Sequence, residues 1–133
     1  MKHIYIIATA AAKRMDSEQA LWSGLKNAGL AVRDIHDLPR IAQHDVAVAG
    51  TLVAGLVKKR VEKAGKDVKL ICLITSKGVL AQRLKDVPEE QIPRIAGETE
   101  QFALQHADFC VPADDLDVAA RLIVQIIKAQ EEQ

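Results

Sequence analysis

Aromatic residues make up only 3% of this 133-residue chain, as one Trp, one Tyr and two Phe. The core must therefore be aliphatic, and the aromatic platforms on which single-stranded nucleic acids stack have almost nothing to be built from. Net charge is missing too: Lys+Arg and Asp+Glu are 18 each. A nucleic-acid partner leaves a basic footprint, so none is expected. No stretch approaches the ~18 uninterrupted apolar residues of a membrane span, so no membrane partner is expected either. The apolar run near the N-terminus, Ile4-Tyr5-Ile6-Ile7, is too short for the core of a signal peptide, and Lys13-Arg14 follow it closely. It reads as a buried first strand. Cysteine is scarce: Cys72 and Cys110 both fall in apparent strands and read as buried, reduced thiols of a cytoplasmic protein. Histidines do not stand at ligand spacing beside them, so no metal site is expected.

What is present is enough for one domain over residues 1–133, with 49% of the chain hydrophobic. Short β-type runs alternate with longer helical ones. Residues 3–9 form a continuous Ile-rich run, as a strand covered on both faces requires. Asp16-Ser17 open a helix with Leu21, Trp22 and Leu25 on its buried face, and Asn27-Ala28-Gly29 close it. Strands are expected at 30–35, 45–49, 68–74 and 107–111, of which 68–74 is the most hydrophobic. A helix over 52–64 places Leu52, Leu56 and Val57 inward, and a short one covers 78–85. Pro93 argues for a break before a helix over 95–105. The last helix runs over 114–128 on a stripe of Leu116, Ala120, Ile123 and Ile127, leaving a frayed polar tail. This alternation predicts an α/β three-layer sandwich around a mostly parallel five-stranded sheet.

In an open parallel sheet, ligands bind beyond the carboxyl ends of the strands. The turn after the first strand, Ala8-Thr9-Ala10-Ala11-Ala12-Lys13-Arg14, offers small residues, a lysine and a following helix start to an anion. It lacks glycine, however, and a phosphate loop reads G-x-x-x-x-G-K-[ST]. Thr9, Ala12, Lys13 and Arg14 are thus candidates for binding a phosphate, against an ordinary tight turn with a solvated lysine. Thr75-Ser76-Lys77, after the fourth strand, could contact an anion, although a helix-capping role is the plainer reading of Ser76. Asp114 likewise reads as a helix N-cap. Asp34, His36 and Asp37, followed by His44-Asp45, gather acid–base side chains at the end of the second strand, where solvated loop residues are the plainer reading.

With these segments laid out, residues 45–128 resemble the guanylate kinase family and its relative, the ribose 1,5-bisphosphokinases. The resemblance is carried by Asp45-Val46-Ala47-Val48-Ala49-Gly50-Thr51, by Ile71-Cys72-Leu73-Ile74-Thr75-Ser76 with Val79-Leu80-Ala81-Gln82-Arg83-Leu84, by Glu89-Glu90-Gln91-Ile92-Pro93-Arg94-Ile95, and by Ala107-Asp108-Phe109-Cys110-Val111-Pro112-Ala113-Asp114-Asp115-Leu116. It implies a P-loop kinase fold with strand order 2-3-1-4-5, in contrast to a flavodoxin-like 2-1-3-4-5. It also implies ATP with Mg²⁺ as cofactor, and catalytic roles for Lys13, Arg83 and Arg94 in clamping phosphates. The departures gather where the chemistry would be. Ile7 and Ala12 stand where the family has its two loop glycines, and Arg14 replaces the hydroxyl that holds Mg²⁺. A short segment over 28–44 replaces the substrate subdomain, and Lys85-Asp86-Val87-Pro88 replaces the arginine-bearing lid. Ala113 stands in for the asparagine usually found near the base.

Phosphoryl transfer depends on positioning and on neutralising charge. The leading expectation is therefore a reduced, kinase-like protein that binds a nucleotide or phosphorylated metabolite, with transfer weak or lost. An active small nucleotide or sugar-phosphate kinase is one alternative. A non-catalytic doubly wound module acting through protein contacts, such as a homodimer, is the other.

Overall fold

The computed structural model describes residues 3–9, 19–34, 46–63, 65 and 67–132, with the backbone alone at 34 and 48–55. Five strands, β1 (Ile4–Thr9), β2 (Val32–Asp34), β3 (Val46–Gly50), β4 (Val68–Ile74) and β5 (Phe109–Pro112), form one sheet of order β2-β3-β1-β4-β5. Every strand pair is parallel. Between them run α1 (Gln19–Asn27), α2 (Thr51–Lys63), α3 (Lys77–Arg83), α4 (Ile92–His106) and α5 (Leu116–Glu131), with a 3₁₀ turn over Glu89–Gln91 before α4. Because β1 pairs with β3 on one side and β4 on the other, the order is the kinase-like one and the flavodoxin-like order is excluded.

β1 explains the architecture. All six of its residues are buried, so neither face can meet water, and helices must cover both. Alternate side chains point to opposite faces. Ile4, Ile6 and Ala8, joined by Leu70 and Cys72 of β4, pack under Val57 and Val61 of α2 and Phe102 and Ala103 of α4. Tyr5 and Ile7, with Ile71, Leu73 and Val111, pack under Leu21, Trp22 and Leu25 of α1 and Ala119, Ala120, Ile123 and Ile127 of α5. A smaller cluster of Leu80, Leu84, Ile92 and Ala96 fastens α3 to α4.

Two glycines end helices for a conformational reason. Gly29 (φ 89°) and Gly65 (φ 81°) take the left-handed conformation just past α1 and α2, and the Leu30 N–H reaches back to the Leu25 carbonyl at 3.1 Å. Gly24 serves packing instead. A Cβ there would come within 2.9 Å of the Ala120 Cβ, so its absence lets α1 and α5 approach closely.

Several sequence expectations are corrected. Pro93 does not break the fourth helix: it sits in the first turn of α4, where its missing N–H has no partner to lose. Leu56 does not face inward but is 64% exposed, while Val57 and Val61 carry the buried stripe of α2. Cys72 is buried but Cys110 is exposed, because β5 is an edge strand. The C-terminal tail does not fray at 130. α5 continues to Glu131, whose carboxylate accepts the Tyr5 hydroxyl at 2.8 Å and the His3 backbone N–H at 3.2 Å. Among the described residues, no helix is long and apolar enough to cross a membrane.

Candidate functional site

The carboxyl ends of the central strands lie together along one edge of the sheet. Thr9 is in register with Gly50, and Ile74 with Pro112. The hydroxyl-bearing Thr9 is 1% exposed, a polar side chain held inside the core at the point where the chain leaves β1. The candidates Ala12, Lys13 and Arg14 that follow it on the chain lie outside the described residues, as do His36, Asp37 and His44. β1 itself ends between β3 and β4.

Beside that point the ends of β4 and β5 are sewn together. The Ala113 N–H donates to the Ile74 carbonyl at 2.8 Å, continuing the ladder one residue past β5. The Ser76 N–H then donates to Asp114 Oδ1 at 2.7 Å. Arg83, in the last turn of α3, folds back over the pair: Nη2 donates to the Asp114 carbonyl at 2.8 Å, and Nη1 reaches Thr75 Oγ1 at 3.5 Å. The Ser76 N–H holds the Asp114 carboxyl below its ordinary range, helped by the Ser76 hydroxyl and, more weakly, by Arg83, with slight desolvation opposing.

This arrangement revises two assignments. Ser76 stands at the N-cap position of α3, but its side chain makes no capping bond; its part is to donate to Asp114. Asp114 is not the N-cap of α5. Asp115 is, with Oδ1 accepting from the N–H groups of Asp117 at 3.0 Å and Val118 at 3.2 Å. One member of the Asp-Asp pair caps the helix, and the other is released to reach across to β4. That doublet at a strand end was the available signal for a second role.

Of the candidate residues, the structure brings together Thr75, Ser76 and Arg83. Arg94 is exposed in the first turn of α4, and among the described residues no hydrogen bond or ion pair joins it to that group. The geometry permits one thing chemically. Both bonds from Arg83 end on neutral oxygens, a carbonyl and a hydroxyl. The guanidinium is thereby held still without being neutralised through them, which suits it to an oxyanion. Among the described residues, no group of three or more His, Cys, Asp or Glu side chains is poised for a metal.

No family model matches the chain, and no curated protein matches its sequence. Solved structures do match in shape. The Deinococcus radiodurans tunicamycin resistance protein superposes with a TM-score of 0.65 at 13% identity, over 96% of each chain. The YorR protein of Bacillus subtilis, solved with phosphorylated GDP, gives 0.62 at 10% identity, over 97% of this chain and 98% of that one. Shikimate kinase from Bacteroides thetaiotaomicron gives 0.60 at 14% identity, over 98% and 99%. The fold is that of the P-loop kinases. At these identities the likeness is one of fold, and it does not single out the guanylate kinase branch. In this fold β1 lies at the centre of the sheet, and all six of its residues are buried.

Proposed function

We propose that the chain is a reduced P-loop-kinase-like protein that binds a nucleotide or another phosphorylated small molecule at the carboxyl edge of its sheet, with phosphoryl transfer weak or lost. The observation that carries this is Arg83, held at the strand ends by two neutral oxygens, the Asp114 carbonyl and Thr75 Oγ1. Lys13, on the segment leaving β1, would supply the second cation, with Thr9, Ala12 and Arg14 framing the turn. Arg94 would contribute at longer range from α4. Support for a nucleotide comes from the fold and from YorR, whose structure holds phosphorylated GDP.

Support for weak transfer comes from the residues. Ile7, aligned with the first loop glycine, lies inside β1 and not in a loop, Ala12 carries a Cβ where the second glycine would let the backbone wrap a phosphate, and Arg14 offers no oxygen to Mg²⁺. ATP with Mg²⁺ is the cofactor this reading implies if any transfer survives, and a guanylate- or ribose-bisphosphate-like acceptor is the finer version of it. Arg83 and Lys13 would then hold the phosphates, and this chain supplies no carboxylate cluster for the metal among its described residues.

The test is thermal stability with ATP, ADP, GDP, GMP and ribose phosphates, each with and without Mg²⁺. A ligand present at 100-fold its Kd stabilises by about 2.7 kcal/mol, several degrees in Tm for a domain of this size. A shift with one compound class that is abolished in both Arg83→Ala and Lys13→Ala supports the reading. No shift with any compound, or a shift indifferent to both variants, overturns it.

One observation favours a second reading, a module acting through protein contacts. Leu104 on α4 is 88% exposed and Leu56 on α2 is 64% exposed, and both helices lie on the same side of the sheet. Sedimentation across a concentration series would show self-association if that surface pairs two copies.

A further inference from the structure

Cys72 and Cys110 are register partners on adjacent parallel strands, β4 and β5. Paired residues of a parallel ladder project to the same face, and neighbouring strands lie about 4.8 Å apart. That falls inside the Cα separation of roughly 4.4–6.8 Å that a disulfide spans. Burial chiefly, then Cys110 and Asp108, push the Cys72 thiol up to about 12, with Lys58 opposing. Their surroundings are opposite. Cys72 is 1% exposed beneath α2 and α4, whereas Cys110 is exposed on the edge strand, with no strand beyond it among the described residues.

We propose that these residues form a redox pair, in which Cys110 meets the oxidant and Cys72 resolves it into a reversible disulfide between β4 and β5. With hydrogen peroxide, the Cys110 sulfur attacks one peroxide oxygen and the O–O bond breaks. Cys110 becomes a sulfenic acid, oxidised by two electrons, and the peroxide is reduced, its other oxygen leaving as water. The Cys72 sulfur then attacks the Cys110 sulfur. The S–S bond forms, the S–O bond breaks, and hydroxide takes up the proton lost by Cys72 as a second water. A small dithiol reverses the closure by thiol–disulfide exchange.

The position gives the bond a consequence. Two residues further on, Ile74 and Pro112 are paired, and the strands pass directly into Thr75-Ser76 and Ala113-Asp114. A disulfide draws Cβ atoms closer than parallel neighbours ordinarily sit. Closure therefore shifts the edge strand inward and alters the seam on which Arg83 rests. Burial of Cys72 also shields the resolving thiol from direct oxidation, leaving the exposed member to react first.

The experiment treats the reduced full-length chain with hydrogen peroxide and follows free thiols, intact mass, peptide maps and non-reducing electrophoresis. The expected result is concerted loss of both thiols in a monomer, a Cys72–Cys110 linked peptide pair, and full recovery with dithiothreitol. Closure should also accelerate with pH, because the thiolate fraction of Cys72 rises about tenfold per pH unit below its pKa; Cys110, Asp108 and Lys58 are the groups facing it. In Cys72→Ser, or in Cys72→Ala should the serine variant unfold, Cys110 should stop at a sulfenic acid trapped by dimedone. The proposal is overturned if Cys72 stays a free thiol while Cys110 proceeds to sulfinic acid or links two chains.

Discussion

Asp114 reaches from the end of β5 to accept the Ser76 N–H at 2.7 Å, so one carboxylate closes the seam between the two strands flanking the candidate site. Its pKa is held below the ordinary carboxylate value by that N–H first, then by the Ser76 hydroxyl and Arg83. A depressed folded pKa means the interaction is fully present above the unfolded value of about 3.9 and is lost as pH falls through the folded one. Carbon-13 titration of the Asp114 carboxyl should therefore give a midpoint below that of a free aspartate. Asp114→Asn should leave stability near neutrality almost unchanged, since the group is exposed, yet raise the exchange rate of the Ser76 amide. An ordinary midpoint would remove the carboxylate from the seam.

The Tyr5 hydroxyl is buried at the base of β1 and donates to Glu131 at 2.8 Å, with Glu131 also 3.5 Å from His3 Nδ1. Desolvation first, and then the Glu131 carboxylate, raise the Tyr5 pKa. The folded state thus keeps this proton, and the stability it contributes is present below the unfolded value of about 10 and declines as pH rises beyond it. Tyr5→Phe should cost about 1.5–3 kcal/mol, the range for a hydrogen bond to a charged group, and should flatten that alkaline decline. Urea unfolding at pH 7 and pH 11 measures both. Equal alkaline slopes in the two proteins would show that another group is responsible.

How much of this could be read beforehand depends on whether a feature is periodic or relational. Alternation of apolar strands with helical stripes placed all five strands, because a doubly covered strand must be apolar throughout, as Ile4–Thr9 is. The β1-central order came from the kinase resemblance, since hydropathy carries no information about which strands are neighbours. The relational details were hidden. Asp114 and Asp115 are chemically identical neighbours, and only the path of the backbone decides which caps α5 and which crosses to Ser76. Glu131 looked like frayed tail because its partners lie 126 and 128 residues away. Cys110 looked buried because a four-residue strand shows no sign of being at an edge. Arg83 was singled out by the kinase resemblance alone, and its return to Thr75 and Asp114 at the strand ends is again relational.

Gly24 makes an unusually sharp packing prediction. On helix propensity alone, Gly→Ala inside α1 should stabilise by about 0.8–1.0 kcal/mol. A Cβ there would instead lie 2.9 Å from the Ala120 Cβ, backed by two helices with no flexible side chain to give way. Overpacking of this kind typically costs about 1–3 kcal/mol. Gly24→Ala should therefore destabilise, and Gly24→Val should do so more severely. Adding Ala120→Gly should recover most of the loss in the double variant. Stabilisation by Gly24→Ala alone would mean that α1 and α5 separate at little cost.

At the opposite edge of the sheet, Asp108 links three elements just before β5 begins. Its Oδ2 accepts the Leu70 N–H at 2.7 Å and Lys58 Nζ at 2.9 Å, and Lys58 also donates to the His106 carbonyl at 3.3 Å. The Asp108 N–H donates in turn to the Leu70 carbonyl at 2.8 Å, so β4 and the entry to β5 are tied by a reciprocal pair. The two bonds to the carboxylate are unequal in consequence. Leu70 is fully buried, and its N–H would lose its partner in Asp108→Ala, at a cost of about 1–3 kcal/mol. The Lys58 pair is partly exposed to solvent, which screens it, so Lys58→Met should cost no more than about 1 kcal/mol. A double-mutant cycle by urea denaturation separates the terms, with a coupling energy below the Asp108→Ala loss as the expected outcome. If Lys58→Met proved as damaging as Asp108→Ala, the lysine's bond to the His106 carbonyl at the end of α4 would be the element holding this edge together.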